Sequence, residues 1–416
     1  MALVLHNAAV LTVDRENRVL AGRDIRIEDG AIAAIGPAGT LARAGDETLD
    51  CTRALVMPGF VNVHTHAATA LFRGLSDDLP RAFWANAYRV PGQERFTPED
   101  YARSLRGACA EYLLNGVTCI ADRLAGMETW APIIEESGLR AVVGETITDA
   151  RGSEGWEASE RVLARYGTDP SRRVFAGLAP HALDSCSDAL LARCAARARD
   201  LGGRVFIHVA QNELEVERVR ERGHAGALAC LRAAGLTGPD VVAAHAIYLS
   251  DAEMEGWIED GTAIAHCPAS NLKIEARTLP IHRFVGRVPV GLGTDWTATN
   301  NSNDMIVEAR LAALVGKMLA DDPTVLPVGQ MIRMLTIEGA RVLGIDHLVG
   351  SVEVGKRADL VVIDLDQPEM MPAHDLASNV LYAASVRSIR DVLVDGRVLV
   401  RGRALAAGPG TASARE

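Results

Sequence analysis

The segment Pro58-Gly-Phe-Val-Asn-Val-His-Thr-His66 ends an apolar run with two histidines that are one residue apart. In a β-strand, side chains two positions apart point to the same face, so the imidazoles of His64 and His66 should project together. Two imidazoles on one face at a strand end can bind one metal ion, and imidazole suits zinc, iron or nickel. The pair alone is a weak signal, because many such pairs are surface accidents.

Three later apolar segments each end in one further residue of a metal-ligand type. These segments run from Val205 to His208, from Val241 to His245, and from Val290 to Asp295. Short buried strands that all end in such residues are hard to attribute to packing alone. The sequence therefore predicts a metal site where these strands end.

From about residue 56, short apolar runs alternate with amphipathic stretches of helical length, such as 100–114 and 304–319. This alternation is typical of repeated βα units, and eight strands of this kind indicate a (β/α)8 barrel with its site at the carboxyl ends of the strands. An open doubly wound sheet is the competing architecture, but it would need a glycine-rich phosphate loop, which the sequence lacks. The predicted strands are Val56–His64, Gly116–Asp122, Arg140–Thr146, Val174–Pro180, Arg204–His208, Val241–His245, Thr262–His266 and Val288–Asp295.

Both ends of the chain are rich in short strands and turns, with Asp29-Gly30 and Asp395-Gly396 as turn signals. Two such segments can pair into one small composite β-sandwich beside the barrel. We expect residues 1–56 and 350–408 to form the sandwich, residues 57–349 to form the metal-dependent barrel, and residues 409–416 to be a polar tail.

Composition excludes several classes of partner. The net charge of −11 and the pI near 5.5 argue against nucleic acids and anionic membranes, because both need basic patches. The sequence contains no stretch of 18 uncharged apolar residues and no secretory leader pattern. Seven scattered cysteines fit reduced thiols better than a disulfide framework. We expect a soluble, cytoplasmic protein.

Several motifs together resemble those of the amidohydrolase superfamily. The nearer likeness is to the branch of methylthioadenosine/S-adenosylhomocysteine deaminases, guanine and cytosine-type deaminases, and s-triazine hydrolases. The likeness covers nearly the whole chain. The motifs that carry it are Met57-Pro-Gly-Phe-Val-Asn-Val-His-Thr-His-Ala-Ala68, Leu71-Phe-Arg-Gly-Leu-Ser-Asp-Asp-Leu79, Asn115-Gly-Val-Thr118, Pro180-His181, His266-Cys-Pro-Ala-Ser-Asn-Leu-Lys273, Gly293-Thr-Asp295 and Gly350-Ser-Val-Glu-Val-Gly-Lys-Arg-Ala-Asp-Leu-Val361.

The resemblance implies a barrel with a composite β-sandwich, and a homo-oligomer (dimer or tetramer). It also implies that His245 lies beside the metal-bound water and that His181 reaches the substrate. The implied cofactor is one divalent ion, Zn²⁺ first and Fe²⁺, Mn²⁺ or Co²⁺ as alternatives, held by His64, His66, His208 and Asp295.

The chemistry of these residues agrees with that implication. A divalent ion lowers the pKa of bound water to around 7, which gives hydroxide at neutral pH. Asp295 could accept the proton of that water, and His245 could orient the hydroxide or stabilise a tetrahedral intermediate. The alternative for His245 is a core histidine bonded to a backbone carbonyl. For His266 and Cys267 we expect structural roles.

Three positions depart from the pattern of the branch. Where its deaminases carry a glutamate three residues after the third metal histidine, this chain has Gln211, whose amide cannot shuttle a proton. The glutamate that grips ribose hydroxyls in nucleoside-type deaminases aligns with Gln93, although a slip of one residue would make it Glu94. Arg277 stands where the branch usually has a small residue.

The sequence predicts a hydrolase that attacks an sp² carbon of a nitrogen heterocycle through a metal-bound hydroxide. The expected reaction is deamination or the related displacement of a chloro or thio substituent, and Gln211 favours the better leaving groups. Trp84 and Trp296 are further candidates for substrate contacts, since Trp296 directly follows Asp295. The alternatives are hydrolysis of a cyclic amide or lactam and a non-catalytic scaffold, against which the complete ligand set argues.

Overall fold

The computed structural model describes residues 2–83 and 92–406. The strands of the described chain are β1 (Leu3–Leu11), β2 (Val19–Glu28), β3 (Ala31–Pro37), β4 (Glu47–Asp50), β5 (Ala54–Pro58), β6 (Phe60–Thr65), β7 (Val117–Leu124), β8 (Arg140–Ile147), β9 (Val174–Ala176), β10 (Ala179–Pro180), β11 (Val205–Val209), β12 (Val241–His245), β13 (Ala263–His266), β14 (Val290–Leu292), β15 (Leu360–Asp364), β16 (Ile389–Val394), β17 (Arg397–Arg401) and β18 (Ala404–Leu405).

Helices separate most of the barrel strands. They are α1 (Pro98–Leu114), α2 (Met127–Ser137), α3 (Gly152–Tyr166), α4 (Asp188–Leu201), α5 (Glu213–Glu221), α6 (Ala227–Ala234), α7 (Asp251–Asp260), α8 (Pro268–Glu275), α9 (Thr297–Asn300), α10 (Met305–Ala320), α11 (Val328–Leu335), α12 (Ile337–Val342) and α13 (Leu376–Ser378).

The predicted (β/α)8 barrel is confirmed. Strands β6, β7 and β8 are parallel neighbours, and β11 to β14 continue in the same way back to β6. The fourth barrel strand consists of two pieces, β9 and β10. Between them Leu178 pairs with Val205 of β11, which closes the ring. All neighbours are parallel, so the carboxyl ends of the strands meet at one face of the barrel.

The first predicted strand, Val56–His64, is wrong as a single element. The chain breaks at Gly59, so that β5 joins a different sheet and β6 enters the barrel. At Gly59 the backbone approaches Thr118 so closely that a Cβ atom would lie 2.2 Å from its side chain. Only glycine allows this approach, and it lets one apolar run serve two sheets.

The strands of the two terminal segments form one nine-stranded sheet, as the composite prediction requires. Its order is β18-β17-β16-β15-β5-β1-β2-β3, with β4 paired to β1. The two segments join where β5 and β15 run antiparallel, with Leu360 opposite Pro58. Both predicted turns, Asp29-Gly30 and Asp395-Gly396, have positive φ at both residues, which suits tight hairpins. This sheet has a separate apolar core.

A buried ion pair links the terminal sheet to the barrel. Arg140, the first residue of β8, donates from Nε to Asp359 Oδ2 at 2.8 Å and from Nη2 to Asp395 Oδ1. The Arg140 and Asp359 side chains are each about 1% exposed. The guanidinium thus lies between two carboxylates of the C-terminal segment, at the amino end of the barrel strands.

Candidate active site

Side chains from four barrel strands converge at the carboxyl face. Ligand atoms of His64, His208, His245 and Asp295 all lie within 4.8 Å of one another, and all four residues are buried. His66 completes the group, because its Nε2 is 3.4 Å from Asp295 Oδ1. The Nε2 atoms of His64 and His208 are 3.2 Å apart, and His64 Nε2 is 3.1 Å from Asp295 Oδ1.

The backbone at the strand ends aims two of these side chains. His245 has a φ of 75° and Asp295 a φ of 57°, both in the left-handed region that non-glycine residues rarely adopt. In β12, Val242 and Ala244 belong to the apolar cluster that holds alternate residues of the other barrel strands, so simple alternation would turn His245 away from it. The left-handed turn brings it back. Such strain, about 1 to 3 kcal/mol per residue, typically persists at functional sites.

Hydrogen bonds on the outer side of the rings orient two imidazoles. His66 Nδ1 is 2.6 Å from the Arg123 carbonyl oxygen, and this contact requires a proton on Nδ1. His245 Nδ1 is 2.8 Å from Asn271 Oδ1. In each ring the Nε2 lone pair is then left for the centre, which is the arrangement that a metal-binding histidine needs. The Nε2 atom of His245 has no hydrogen-bond partner within the described chain.

Asp295 is held on both of its oxygens. Oδ1 faces His64 and His66, while Oδ2 accepts hydrogen bonds from Ser270 Oγ at 2.5 Å and Thr299 Oγ1 at 3.2 Å. Burial alone would raise the pKa of Asp295, but the neighbouring His245, followed by His64 and His66, holds it well below the usual value. The carboxylate is therefore ionised and points one oxygen at the imidazoles.

Burial shifts the pKa of the histidines in the opposite direction. It lowers the pKa of His64 to about 3 and that of His208 well below the usual value, since charged imidazolium is costly away from water. Neutral imidazoles can donate a lone pair to a cation. The structure thus contains a metal site of histidine nitrogens and one carboxylate oxygen, whose orphaned buried atoms and donor types fit a divalent ion.

The metal site lies in a pocket of about 490 Å³. Its lining side chains include an aromatic group around Phe72, whose ring centroid is 5.7 Å from Phe96, 5.7 Å from Tyr101 and 5.8 Å from Trp296. Flat apolar walls of this kind suit a planar ring. The described lining residues are His66, Thr69, Phe72, Gln93, Phe96, Pro98, Tyr101, Leu124, Ala125, Trp130, Thr146, His181, His208, Gln211, Asn212, Ile274, Glu275, Asp295, Trp296 and Thr299.

The structure places four predicted substrate or catalytic residues in this pocket. Gln93, His181, Gln211 and Trp296 all line it, and the His181 ring centroid is 5.0 Å from that of His208. Trp84, the remaining candidate, lies outside the described residues. His266 and Cys267 are buried, and burial raises the pKa of the Cys267 thiol well above its usual value, so its thiolate is disfavoured.

Sequence reasoning missed several functional contacts. Ser270 and Asn271 hold Asp295 and His245, and both lie in the Ser-Asn-Leu-Lys segment, which could have pointed to them. Arg123 gave no such signal because it contacts His66 through its backbone carbonyl, and Phe96 and Tyr101 gave none because they lie outside the strands. Glu275 was missed for the same reason.

Comparisons with known proteins agree with this geometry. Residues 55–399 match the amidohydrolase family. The chain belongs to this family. It is 37% identical over 414 residues to a 5-methylthioadenosine/S-adenosylhomocysteine deaminase of Desulforudis audaxviator, covering 97% of this chain and 94% of the relative. It is 35% identical over 404 residues to a 5'-deoxyadenosine deaminase of Methanosarcina mazei, covering 96% and 93%.

A solved structure extends the comparison to three dimensions. An adenosine deaminase from Xanthomonas campestris with bound zinc superposes with a TM-score of 0.91 at 31% identity, covering 99% of this chain and 96% of that one. The predicted resemblance is therefore confirmed, and this amidohydrolase is an enzyme that hydrolyses C–N bonds. Within the described ranges, every helix is too short or too polar to cross a bilayer.

Proposed function

We propose that this amidohydrolase displaces an exocyclic substituent from an sp² ring carbon of a purine-nucleoside-like heterocycle, with hydrolytic deamination as the first candidate reaction. The observation that carries the proposal is the position of the metal site and His245 beside an aromatic-walled pocket. The deaminase names of the relatives, at 35% to 37% identity, support a substrate of this class.

The proposed metal ligands are His64, His66, His208 and Asp295, and the proposed ion is zinc. All of the ligand side chains reach the centre through atoms that are otherwise unpaired or that contact only one another. The bound ion would supply a water molecule of lowered pKa and a positive charge near the ring carbon. The zinc in the solved adenosine deaminase supports this choice.

The remaining steps belong to side chains of this chain. Asp295 accepts the proton of the attacking water on Oδ1, because Ser270 and Thr299 occupy its other oxygen. His245, whose Nδ1–H donates to Asn271 Oδ1, presents the Nε2 lone pair to the attacking water and orients it by accepting a hydrogen bond. Asp295 then passes its proton to the departing group.

Gln211 favours a second candidate, displacement of chloride or a thiolate from the same kind of ring. Its side chain lines the pocket, and its amide can donate a hydrogen bond to a ring nitrogen but cannot protonate it. An amine leaves poorly from a ring that stays unprotonated, whereas a stabilised anion leaves readily. Gln211 and His181 are therefore proposed to orient the ring, with Gln93 and Trp296 as further contacts.

The test is turnover of zinc-loaded protein on adenosine, 6-chloropurine riboside and 6-thio analogues, together with metal analysis. We expect about one ion per chain, and turnover of at least one of these substrates. His208→Ala should lose most of the metal and the activity, whereas His374→Ala, which changes an exposed histidine, should keep both. Full activity of the metal-free protein would disprove the mechanism.

Three further properties stay predictions. A cytoplasmic location is supported by seven cysteines that are all buried and free. The homo-oligomer is checked by the molar mass in solution. The domain bounds 1–56, 57–349 and 350–408 are checked by limited proteolysis.

A further inference from the structure

Glu275 is a carboxylate in the pocket that the proposed reaction does not use. It is the last residue of α8, the helix that also supplies Ser270 and Asn271 to the metal site. Glu275 is four positions after Asn271, which corresponds to about 6 Å along a helix. Glu275 lines the same pocket one turn away from the reacting centre.

The two oxygens of this carboxylate have different surroundings. Oε2 accepts a hydrogen bond from the Tyr248 hydroxyl at 2.6 Å and pairs with Arg81 Nε at 3.2 Å. Oε1 is buried and has no hydrogen-bond partner in the described part of the chain. The side chain as a whole has 0% exposure. A buried acceptor without a partner costs free energy, so an oxygen in this state is normally matched by something that binds there.

The composition of the pocket indicates what that partner would be. Among its described lining residues, the acidic side chains are Asp295 and Glu275, and none is lysine or arginine. Asp295 belongs to the metal site. A phosphate or carboxylate on the substrate would therefore meet the Glu275 charge without a lining cation, whereas a hydroxyl group would donate to it.

We propose that Glu275 is a specificity residue whose Oε1 accepts a hydrogen bond from a sugar hydroxyl of an uncharged nucleoside. This inference rests on the proposed function, because it takes the substrate to be nucleoside-like. Oε2 is the anchored side of the carboxylate, held by Tyr248 and Arg81, and it fixes the direction in which Oε1 points. A phosphate group has no proton to donate to Oε1, so phosphorylated nucleotides should bind less well than nucleosides.

The test compares adenosine with its 2′-, 3′- and 5′-deoxy analogues, in zinc-loaded wild type and in Glu275→Ala. In the wild type, one analogue should lose about 10- to 100-fold in kcat/KM relative to adenosine, the usual scale for a hydrogen bond to a charged group. Glu275→Ala should lower kcat/KM for adenosine by the same factor and leave kcat/KM for that analogue unchanged. Glu275→Gln, which keeps an acceptor of the same shape, should give an intermediate preference. AMP should be a poor substrate of the wild type.

Two controls separate recognition from structure. Tyr248→Phe removes one of the two partners of Oε2 and should reduce the preference for adenosine over the sensitive analogue less than Glu275→Ala does, because Arg81 still holds Oε2. Calorimetric binding of inosine and the matching deoxyinosine gives the same comparison without turnover. Thermal unfolding and metal content should be close to wild type in Glu275→Gln.

Each outcome decides the proposal. The role of Glu275 is refuted, and the proposed function stands, in either of two cases. In the first, the wild type turns over all four nucleosides with equal kcat/KM, and in the second, Glu275→Ala lowers kcat/KM for all four by the same factor. Binding that depends on Glu275 without turnover of any substrate supports this role and refutes the proposed reaction. Neither binding nor turnover refutes both.

Discussion

At the scale of single residues, three side chains of the metal site each use one atom to face the centre and another to hold their orientation. The inner atoms of His66, His245 and Asp295 face the centre, and their outer atoms are tied to Arg123, Asn271 and Ser270. Such outer contacts fix the tautomer and orientation of a ligand before it meets an ion. Removal of a side chain that faces the centre and removal of its hydrogen-bond partner should therefore have different effects on turnover and metal content.

Replacement of His245 and of Asp295 should separate metal binding from catalysis. Each of His245→Ala and Asp295→Asn should lower turnover at least about 100-fold, the scale of a lost acid–base group. Metal content, measured by elemental analysis, should survive the His245 change better, because the proposed ligand set excludes His245. Asn271→Ala, which removes the acceptor of the His245 ring and leaves the imidazole in place, should cost less turnover than His245→Ala. Wild-type turnover in His245→Ala would refute its assigned role.

Gln211→Glu should shift the preference of the enzyme toward amino substituents. A carboxylic acid in this position can protonate a ring nitrogen, which amine departure needs and chloride departure does not. The ratio of turnover on adenosine to turnover on 6-chloropurine riboside, measured from pH 6 to 9, should rise relative to wild type. Gln211→Met, which has a similar length and no amide, should lower turnover on both substrates. A ratio that stays constant in Gln211→Glu would show that residue 211 takes no part in protonation.

The sequence was sufficient to predict that His64, His208, His245 and Asp295 converge, because each of them follows an apolar run and strand ends meet in a parallel barrel. It was insufficient for Glu275 and for the aromatic residues Phe72, Phe96 and Tyr101, although it did indicate Trp296. These residues meet only through the paths of separate loops and helices, such as α1 and α8, and no local spacing encodes such paths.

At the scale of secondary structure elements, the start of α5 positions Gln211. Asn212 caps the helix by accepting from the Glu215 backbone N–H at 2.9 Å. Glu215 in turn accepts from the backbone N–H groups of Ala210 at 3.1 Å and Gln211 at 2.8 Å. One buried carboxyl group therefore fixes the turn between His208, a proposed metal ligand, and the pocket residue Gln211.

The pH dependence of stability should report on this turn. Burial, reinforced by Asp184, raises the pKa of Glu215 to about 8 from its ordinary value of 4.5. Between these values the folded chain keeps a proton that the unfolded chain releases, so this group contributes stability at low pH that is lost as the pH rises toward 8. The slope reaches about 1.4 kcal/mol per pH unit.

Glu215→Gln cannot titrate, so the difference in unfolding free energy between wild type and this variant should shrink as the pH rises from about 5 to 8. Urea unfolding at several pH values measures this difference. The matched control is Glu213→Gln, which changes an exposed glutamate on the same helical turn and should give a curve parallel to wild type. Parallel curves for Glu215→Gln would contradict the raised pKa.

The type of each element followed from the sequence better than its ends. The predicted Val241–His245 strand matches β12, because a pure apolar run bounded by a glycine-rich loop and a turn leaves little choice. The single strand predicted across Gly59 fails, since sheet membership depends on Thr118 and Leu360, which are distant in sequence. Hydrophobic periodicity indicates which face of a strand is buried, but it does not indicate which strands pair with it.

At the scale of the whole molecule, Arg140 joins the barrel to the terminal sheet. Its guanidinium contacts Asp359 and Asp395, and all three groups are largely removed from water. Arg140→Ala leaves the buried Asp359 carboxylate without its cation, whereas Asp395 keeps Arg357, and the loss should cost about 3 to 5 kcal/mol of unfolding free energy. Arg397→Ala, which removes an exposed arginine of β17, should cost much less.

Chemical unfolding of the metal-loaded proteins measures both variants. The metal content of folded Arg140→Ala should match wild type, because Arg140 lies at the amino end of β8 and the metal site at the opposite end of the barrel. A loss of less than 1 kcal/mol would show that the buried pair is not needed to hold the two parts together.

The antiparallel pairing of β5 with β15 means that the terminal sheet can be completed only late in synthesis. The partner of β5 leaves the ribosome about 300 residues later, which at ordinary elongation rates is on the order of 15 to 60 s. During that interval the sheet of β1 to β5 lacks its partner strand and has an exposed hydrogen-bonding edge. The barrel, which lies between β5 and β15 in the chain, can already assemble. The nascent chain should therefore be most prone to aggregation in its N-terminal strands, and protease sensitivity of stalled nascent chains should persist there until β15 has emerged.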